Sequence, residues 1–113
     1  SGLEILYVRS SLVYPEIEEV IAPLQQCATP VYLWCAGART QTLLDWTSLS
    51  LLNIQGIIDK EKQGKLGEYD ILRPEVASHE VQYILICHAT DPFSIEQDLR
   101  ESESFRDKKI LIL

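Results

Sequence analysis

Cys35-Ala36-Gly37-Ala38-Arg39-Thr40 is the stretch that decides the fold of this chain. It follows an unbroken apolar run at residues 31–34 and precedes a segment whose apolar residues recur at helical spacing. A buried strand that turns through small residues into a helix N-terminus is a common way of holding a phosphate or a nucleotide. The stretch therefore predicts a strand, a tight turn and a helix, with a ligand position at the turn.

Apolar runs and helical patterns alternate along the rest of the chain. The strands that these runs predict, rich in β-branched and aromatic residues, lie at residues 3–8, 31–35, 54–59, 69–72, 81–87 and 110–113. The alternation favours right-handed βαβ units. We therefore predict an α/β fold, a three-layer Rossmann-like domain with a mostly parallel sheet of about five strands.

The helices are predicted from capping residues and proline. Pro15 suits a first helical turn, and Asp91-Pro92 places an N-cap acceptor before a proline at the first helical position. Pro23 is expected to kink or end the first helix early. A second helix is predicted over residues 40–51, and residues 60–67 are predicted to be a charged loop.

The turn after residues 31–34 keeps only part of the dinucleotide-binding fingerprint. The three glycines of Gly-x-Gly-x-x-Gly are here Cys35, Gly37 and Thr40. The loop could still offer helix amides, the Thr40 hydroxyl and the Arg39 cation to a phosphate. Asp59 lies 22 residues after Gly37, where such folds place a ribose-binding carboxylate. The alternative is that Gly37 only makes the turn, Thr40 caps the helix and Asp59 caps a strand end.

His88 is a further candidate because it follows the strand at 81–87, at the sheet edge where ligands of α/β proteins bind. It could contact a ligand or act as a base, and the alternative is an ordinary loop residue. The sequence contains no catalytic triad pattern and no metal-ligand spacing, so it predicts neither a catalytic residue nor a metal site. The predicted binding residues are Gly37, Ala38, Arg39, Thr40, Asp59 and His88.

Composition limits the partners. The chain has 113 residues, of which 46% are apolar, enough for one core. Seventeen acidic and ten basic side chains give a net charge of −7, which opposes binding to nucleic acid or anionic membranes. Cys27, Cys35 and Cys87 lack Cys-x-x-Cys spacing and are expected to be reduced core residues. With no spanning apolar run and no signal-peptide pattern, we expect a soluble, cytoplasmic protein without a nucleic-acid partner.

The ends of the sequence suggest a piece of a larger protein. It opens with Ser1-Gly2, contains no methionine and stops inside the apolar run 110–113. We therefore expect residues 1–113 to be a single domain excised from a longer polypeptide, whose remainder would be its main partner. A homodimer is also compatible with the sequence.

Five short motifs occur in a suggestive order: VYLWCAGART (31–40), IQGIID (54–59), KQGKLG (62–67), ILRPE (71–75) and YILI (83–86). Together they resemble a Rossmann-like superfamily of sugar-nucleotide and CoA-type binding domains. This group includes N-terminal domains of bacterial sugar acetyltransferases, the C-terminal domain of sugar C-methyltransferases and accessory domains of surface-polysaccharide enzymes. The resemblance covers about residues 30–113, and residues 1–29 would add a strand and a helix.

The resemblance implies a role. The family loop usually reads Gly-Ala-Gly, so Gly37 and Asp59 match the family and Cys35 departs from it. A domain of this kind would be an accessory module of a larger enzyme in sugar or surface-polysaccharide metabolism. It would position a nucleotide, a nucleotide-sugar, NAD(P) or a CoA-like ligand, while a neighbouring domain supplies catalysis.

Two other functions remain open at this point. One is an interaction or scaffold domain whose ligand site has decayed. The other is a thiol-dependent phosphocarrier or sulfurtransferase that uses Cys35, since the nucleophile loops of phosphotransferase-system IIB and rhodanese domains resemble residues 35–40. Both of those loops need one more residue, and its absence would redirect the amides that lower the thiol pKa. We therefore expect Cys35 to be a buried, inert thiol.

Overall fold

The computed structural model of the chain describes residues 14–77, 79–88 and 90–113, so the strand predicted at residues 3–8 lies outside the described part. The helices are α1 (Pro15–Gln26), α2 (Ala38–Trp46), α3 (Pro74–Ala77) and α4 (Pro92–Glu101), with a 3-10 turn at Ser48–Leu51. The strands are β1 (Pro30–Trp34), β2 (Asn53–Ile58), β3 (Gly64–Leu66), β4 (Tyr69–Leu72), β5 (Tyr83–Ile86) and β6 (Lys109–Ile112).

The strands form one six-stranded sheet in the order β3-β4-β2-β1-β5-β6. All neighbours are parallel except β3, which runs antiparallel to β4. From β1 the chain moves to β2 and β4 on one side and then crosses back to β5 on the other. This reversal puts a topological switch point between β1 and β5 and confirms the predicted three-layer Rossmann-like α/β fold.

β1 is buried between two apolar layers. Val31 and Leu33 belong to the core beneath α1, α2 and the 3-10 turn, whereas Tyr32 and Trp34 belong to the core that includes Leu99 of α4. All four of these β1 residues are buried. A central parallel strand covered on both faces needs apolar residues at every position, because successive side chains point to opposite faces.

The region between β2 and β4 differs from the predicted loop. Residues 64–66 form the antiparallel edge strand β3, which raises the strand count from about five to six. Gly64 and Gly67 have φ of +98° and +61°, a conformation that glycine adopts without a Cβ clash. A strand of three residues carries too short an alternation to be recognised in sequence.

Of the two predicted effects of Pro23, a kink or an early end of the helix, the early end is wrong, because α1 continues to Gln26. Pro23 has no amide hydrogen, so the carbonyl four residues earlier, at Glu19, loses its helical partner. Both residues are exposed, and this carbonyl lies on the solvent side of the helix. On the inner face Ile17, Ile21 and Leu24 are buried and hold the helix against the sheet. Packing of the inner face therefore outweighs the cost of one interior proline.

The helix predicted over residues 40–51 is divided in two. α2 ends at Trp46, and Thr47 then starts the 3-10 turn by accepting a hydrogen bond from the Leu49 amide at 3.1 Å. The Thr47 hydroxyl also donates to the Leu43 carbonyl at 2.6 Å. A hydroxyl that bonds to nearby backbone groups competes with the helical pattern, which explains the break.

α4 begins as predicted. The Asp91 carboxylate accepts a hydrogen bond from the Ser94 amide at 3.0 Å, and Pro92 occupies the first turn. Within the described residues, no helix is long and apolar enough to cross a lipid bilayer.

Candidate ligand-binding site

A cleft of about 440 Å³ opens at the carboxyl ends of β1, β2, β4 and β5, beside α4. This is the edge, at the switch point, where open α/β sheets bind ligands. One wall is apolar and consists of Trp34, Pro74, Ile95, Leu99 and Phe105. The polar rim consists of Cys35, Asp59, Lys60, Glu61, Lys62 and His88, while Asp98 and Ser102 are polar groups on the same side as Ile95 and Leu99. An apolar lining with a few polar groups is the usual make-up of a small-molecule site.

The floor of the cleft is built on an aromatic pair. The rings of Trp34 and Phe105 meet edge to face, with centroids 5.7 Å apart and planes at 84°. Both residues are buried, with 6% and 4% of their surface exposed. Buried rings in this arrangement gain energy beyond their contact area, so the pair stabilises the floor of the cleft.

Asp59 connects the ends of β1 and β2. Its Oδ2 accepts a hydrogen bond from the Ala36 amide at 2.9 Å, and its Oδ1 accepts from the Glu61 and Lys62 amides at 2.8 and 2.9 Å. The Lys62 ammonium then donates to the Ala36 carbonyl at 2.7 Å. The loops after β1 and β2 are therefore held together by one carboxylate and one ammonium group.

The pKa of Asp59 lies below its usual value. Partial burial raises this pKa, but the amides of Ala36, Lys62 and Glu61 together with the Lys62 charge outweigh the burial. The carboxylate is therefore fully ionised at neutral pH.

Cys35 lies at the edge of the cleft and is not the buried residue that the sequence predicted. Its φ is +85°, and it is only half-buried. The backbone alternation would put its side chain on the face of Leu33, but the positive φ turns it to the face of Trp34. Burial and the Asp59 charge raise the pKa of its thiol, although Lys62 and the Gly37 amide lower it.

Thr40 is fully buried and connects β1 to β5. Its hydroxyl donates to the Cys35 carbonyl and lies 3.4 Å from the Cys87 carbonyl. The hydroxyl that the sequence offered as a phosphate donor is thus engaged within the chain.

Replacing Thr40 with valine should lower the free energy of unfolding by about 1–2 kcal/mol, because valine keeps the shape but leaves the Cys35 carbonyl without the donor that the hydroxyl supplies. Urea denaturation followed by circular dichroism would measure the loss. Thr42→Val, on the exposed side of α2, is the control and should change stability by less than about 0.5 kcal/mol. Equal losses in the two variants would contradict this role.

The other candidates from the loop are divided between two surfaces. Gly37 is the N-cap of α2 and has an extended backbone, and Ala38 is exposed in the first turn. Arg39 instead donates to the Leu113 carbonyl at 3.1 Å and lines a separate pocket beside Tyr14 and α1. Of the predicted binding residues, Asp59 and His88 line the cleft, whereas Gly37, Ala38 and Thr40 do not and the Arg39 side chain lies in another pocket.

His88 lines the cleft after β5. Its Nδ1 accepts from the amides of Thr90 and Asp91 at 3.3 and 3.4 Å. In the neutral ring the proton is then on Nε2, which makes this atom a hydrogen-bond donor.

Several lining residues were missed from the sequence. Ile95, Asp98 and Leu99 lie at helical spacing along one side of α4, and Ser102 follows as the C-cap of this helix. The sequence did contain a signal for this face of the helix. Asp98 and Ser102 interrupt the apolar spacing, which indicates that the face is not fully buried in the core. Trp34 and Lys62 gave no such signal, because one belongs to an apolar run and the other to a charged loop.

Comparison with known proteins gives a fold but no family. No family model matches the sequence, and no curated protein matches it. The crystal structure of RSP, a Rex-family repressor, is similar with a TM-score of 0.51 and 14% identity, over 91% of this chain and 60% of that chain. RSP in complex with beta-NAD+ and operator DNA gives a TM-score of 0.47 and 13% identity, over 86% and 58% of the two chains.

This chain thus spans less than two thirds of either similar structure. At 14% identity, the likeness to RSP supports the Rossmann-like fold alone. Among the described residues, no group of three or more His, Cys, Asp or Glu side chains could hold a metal ion.

Proposed function

We propose that this chain is a binding module that holds a nucleoside-containing ligand in the cleft after β1, β2 and β5. The ligand classes are a nucleotide, a nucleotide-sugar, NAD(P) or a CoA-like molecule, and catalysis would come from another domain of a larger protein. The observation that carries the proposal is that Asp59 and an apolar wall line one cleft at the switch point.

The cleft has the size and the chemistry for a nucleoside. Ligand pockets commonly have volumes of about 300–1,000 Å³, and this cleft of about 440 Å³ lies within that range. A planar base fits the apolar wall of Trp34, Ile95 and Leu99, which excludes water from one side.

Asp59 has room for one ligand hydroxyl. A carboxylate offers about four lone-pair positions, and three amides of the chain fill three of them. A ribose hydroxyl can take the remaining position. Lys60 and the Nε2 of His88 add donors along the same rim.

The motif resemblance supports a more specific role in sugar or surface-polysaccharide metabolism. Under this proposal, nucleotide-sugars would be the preferred ligands and the module would serve a transferase. The raised pKa of the Cys35 thiol disfavours the thiolate chemistry of a phosphocarrier or sulfurtransferase. Slow alkylation of Cys35 in the folded protein would agree with this assignment, and fast alkylation would favour the thiol enzymes.

The test is ligand binding to the whole chain. Thermal denaturation with NAD, NADP, CoA, UDP-glucose and S-adenosylmethionine at millimolar concentration should show stabilisation by at least one of them, because a ligand that binds only the folded state raises its stability. The same ligands should quench or shift the fluorescence of Trp34. Absence of any effect would contradict the proposal and favour a scaffold domain.

Asp59→Asn should weaken binding of the best ligand about tenfold, since one charge-assisted hydrogen bond is lost. Calorimetric titration below the unfolding temperature of the variant measures this change separately from stability. Asp107→Asn, an exposed carboxylate that does not line the cleft, is the matched control and should bind like the parent protein. Unchanged affinity in Asp59→Asn would show that the ligand does not contact this carboxylate.

A further inference from the structure

The loop that usually holds a diphosphate in Rossmann-like folds is engaged by groups of this chain. A phosphate cradle needs backbone amides that point at the ligand and room for the phosphate to approach them. The relevant backbone here is the turn from Cys35 to Ala38, between β1 and α2.

The first amide of the turn is already bonded to an anion. The Ala36 amide donates to Asp59 at 2.9 Å, so a carboxylate stands where a phosphate oxygen would have to bond. Moving it would also release the Glu61 and Lys62 amides, which share the same side chain. A phosphate would therefore exchange bonds with Asp59 and would meet its negative charge as well.

The second amide of the turn faces the Cys35 sulfur. The nearby Gly37 amide lowers the pKa of this thiol, against the larger effects of burial and the Asp59 charge, which raise it. The sulfur lies 3.4 Å from the position that a Cβ on Gly37 would occupy. In the fingerprint, the middle glycine lets a diphosphate approach the backbone. Here that glycine is Gly37, and the Cys35 sulfur occupies the space beside it.

Two cations of this region are already bonded to carbonyls of the chain. Arg39 is bonded to the Leu113 carbonyl in another pocket, and Lys62 is bonded to the Ala36 carbonyl. The cleft itself has three carboxylates, Asp59, Glu61 and Asp98, against the ammonium groups of Lys60 and Lys62. The lining therefore does not compensate the charge of a diphosphate. The amides of the first turn of α2 have no side-chain cap, and the Cys35 sulfur lies beside Gly37, the N-cap of this helix.

We propose that the cleft recognises its ligand through the nucleoside and leaves any phosphates in solvent, with Cys35 and Asp59 excluding a diphosphate from the turn. This inference rests on the proposed function and narrows it. It assigns to Cys35 a role in specificity, in place of the glycine that would admit the diphosphate.

The first measurement compares matched ligands on the parent chain. Adenosine, AMP and ADP, and likewise uridine, UMP and UDP, are titrated by calorimetry or tryptophan fluorescence. Within the series of the preferred base, we expect dissociation constants that agree within about threefold, because no charge-assisted bond to phosphate is gained. Binding of the diphosphate ten times or more tighter than the nucleoside would overturn the inference and leave the proposed function standing. Failure of all six ligands, together with those named above, would overturn both.

The second measurement uses Cys35→Gly. Glycine suits a φ of +85°, so this variant should fold. It should bind ADP or UDP about tenfold tighter than the parent chain, since the space that the Cys35 sulfur occupies beside Gly37 is released. Affinity for the nucleoside should stay within about twofold, because the thiol is not part of its contacts.

Cys27→Gly, at the exposed end of α1, is the control and should leave both affinities unchanged. An equal gain for the nucleoside and the diphosphate in Cys35→Gly, or no gain for the diphosphate, would overturn the role assigned to Cys35. Whether the turn excludes a diphosphate is tested separately, by comparing the nucleoside with the diphosphate on the parent chain.

Discussion

Trp34→Ala is expected to lower the free energy of unfolding by about 3–5 kcal/mol, the range for truncating a large buried aromatic side chain. Trp34 is 6% exposed, contacts the ring of Phe105 edge to face and belongs to the central strand. Its removal leaves a cavity between the sheet and α4. Because a domain of this size is stable by only about 5–15 kcal/mol, the variant should be close to unfolding at body temperature. Denaturation in urea followed by circular dichroism measures the loss.

Trp46→Ala is the matched control for this experiment. Trp46 lies at the end of α2 with 47% of its surface exposed, so its truncation should cost about 1 kcal/mol. Similar losses in the two variants would show that the floor of the cleft is not a centre of stability. Trp34→Phe preserves a ring in the floor, and its smaller loss would allow ligand binding to be tested in a widened cleft.

Asp59→Asn is expected to cost about 2 kcal/mol at neutral pH and to change the response of the protein to acid. The carboxylate accepts hydrogen bonds from three backbone amides. In asparagine an NH2 group replaces one carboxylate oxygen, so at least one of these amides faces another donor and loses its acceptor, which is costly. The stabilising contribution of the parent carboxylate depends on its charge. Stability should therefore differ between the two proteins only where Asp59 is ionised.

The direction of the pH effect follows from the lowered pKa of Asp59 in the folded state. The unfolded chain, with an aspartate pKa of about 3.9, binds this proton more readily than the folded protein. The contribution of Asp59 is thus complete above that value and is lost as the pH falls through the lower pKa of the folded state. Urea denaturation between neutral pH and acid should show the difference between parent and Asp59→Asn shrinking below about pH 4.

Asp107→Asn serves as control here too and should match the parent at every pH. A difference between the parent and Asp59→Asn that stays constant into acid would mean that the asparagine acts through shape alone. It would contradict the role of the charge in holding the two loops together.

The sequence predicted the sheet because its signals are local and strong. Residues 31–34 are apolar at every position, and the alternation of runs implies parallel strands. The spacing from Gly37 to Asp59 also placed that carboxylate at the carboxyl edge, where the structure has it lining the cleft. Asp91-Pro92 likewise marked the true start of α4.

The remaining features depend on geometry that no local pattern records. The φ of +85° at Cys35 turns its thiol from one face of the sheet to the other, and glycine would have been the expected signal for such a backbone. The Lys62 ammonium bonds to a carbonyl 26 residues earlier in the chain. Arg39 and Thr40 follow the loop in sequence, yet the helix carries one to the Leu113 side and the other into the core.

The edges of the sheet bear on how two copies of this chain could associate. Among the described residues, one edge is the three-residue β3, whose exposed Lys65 faces Asp70 across the hairpin at 3.6 Å. The other is β6, four residues long and opened by the exposed Lys109. Short strands that carry lysine are poor templates for a strand from another molecule. A homodimer of the described part would therefore assemble through its helical layers and not as one sheet shared between two subunits.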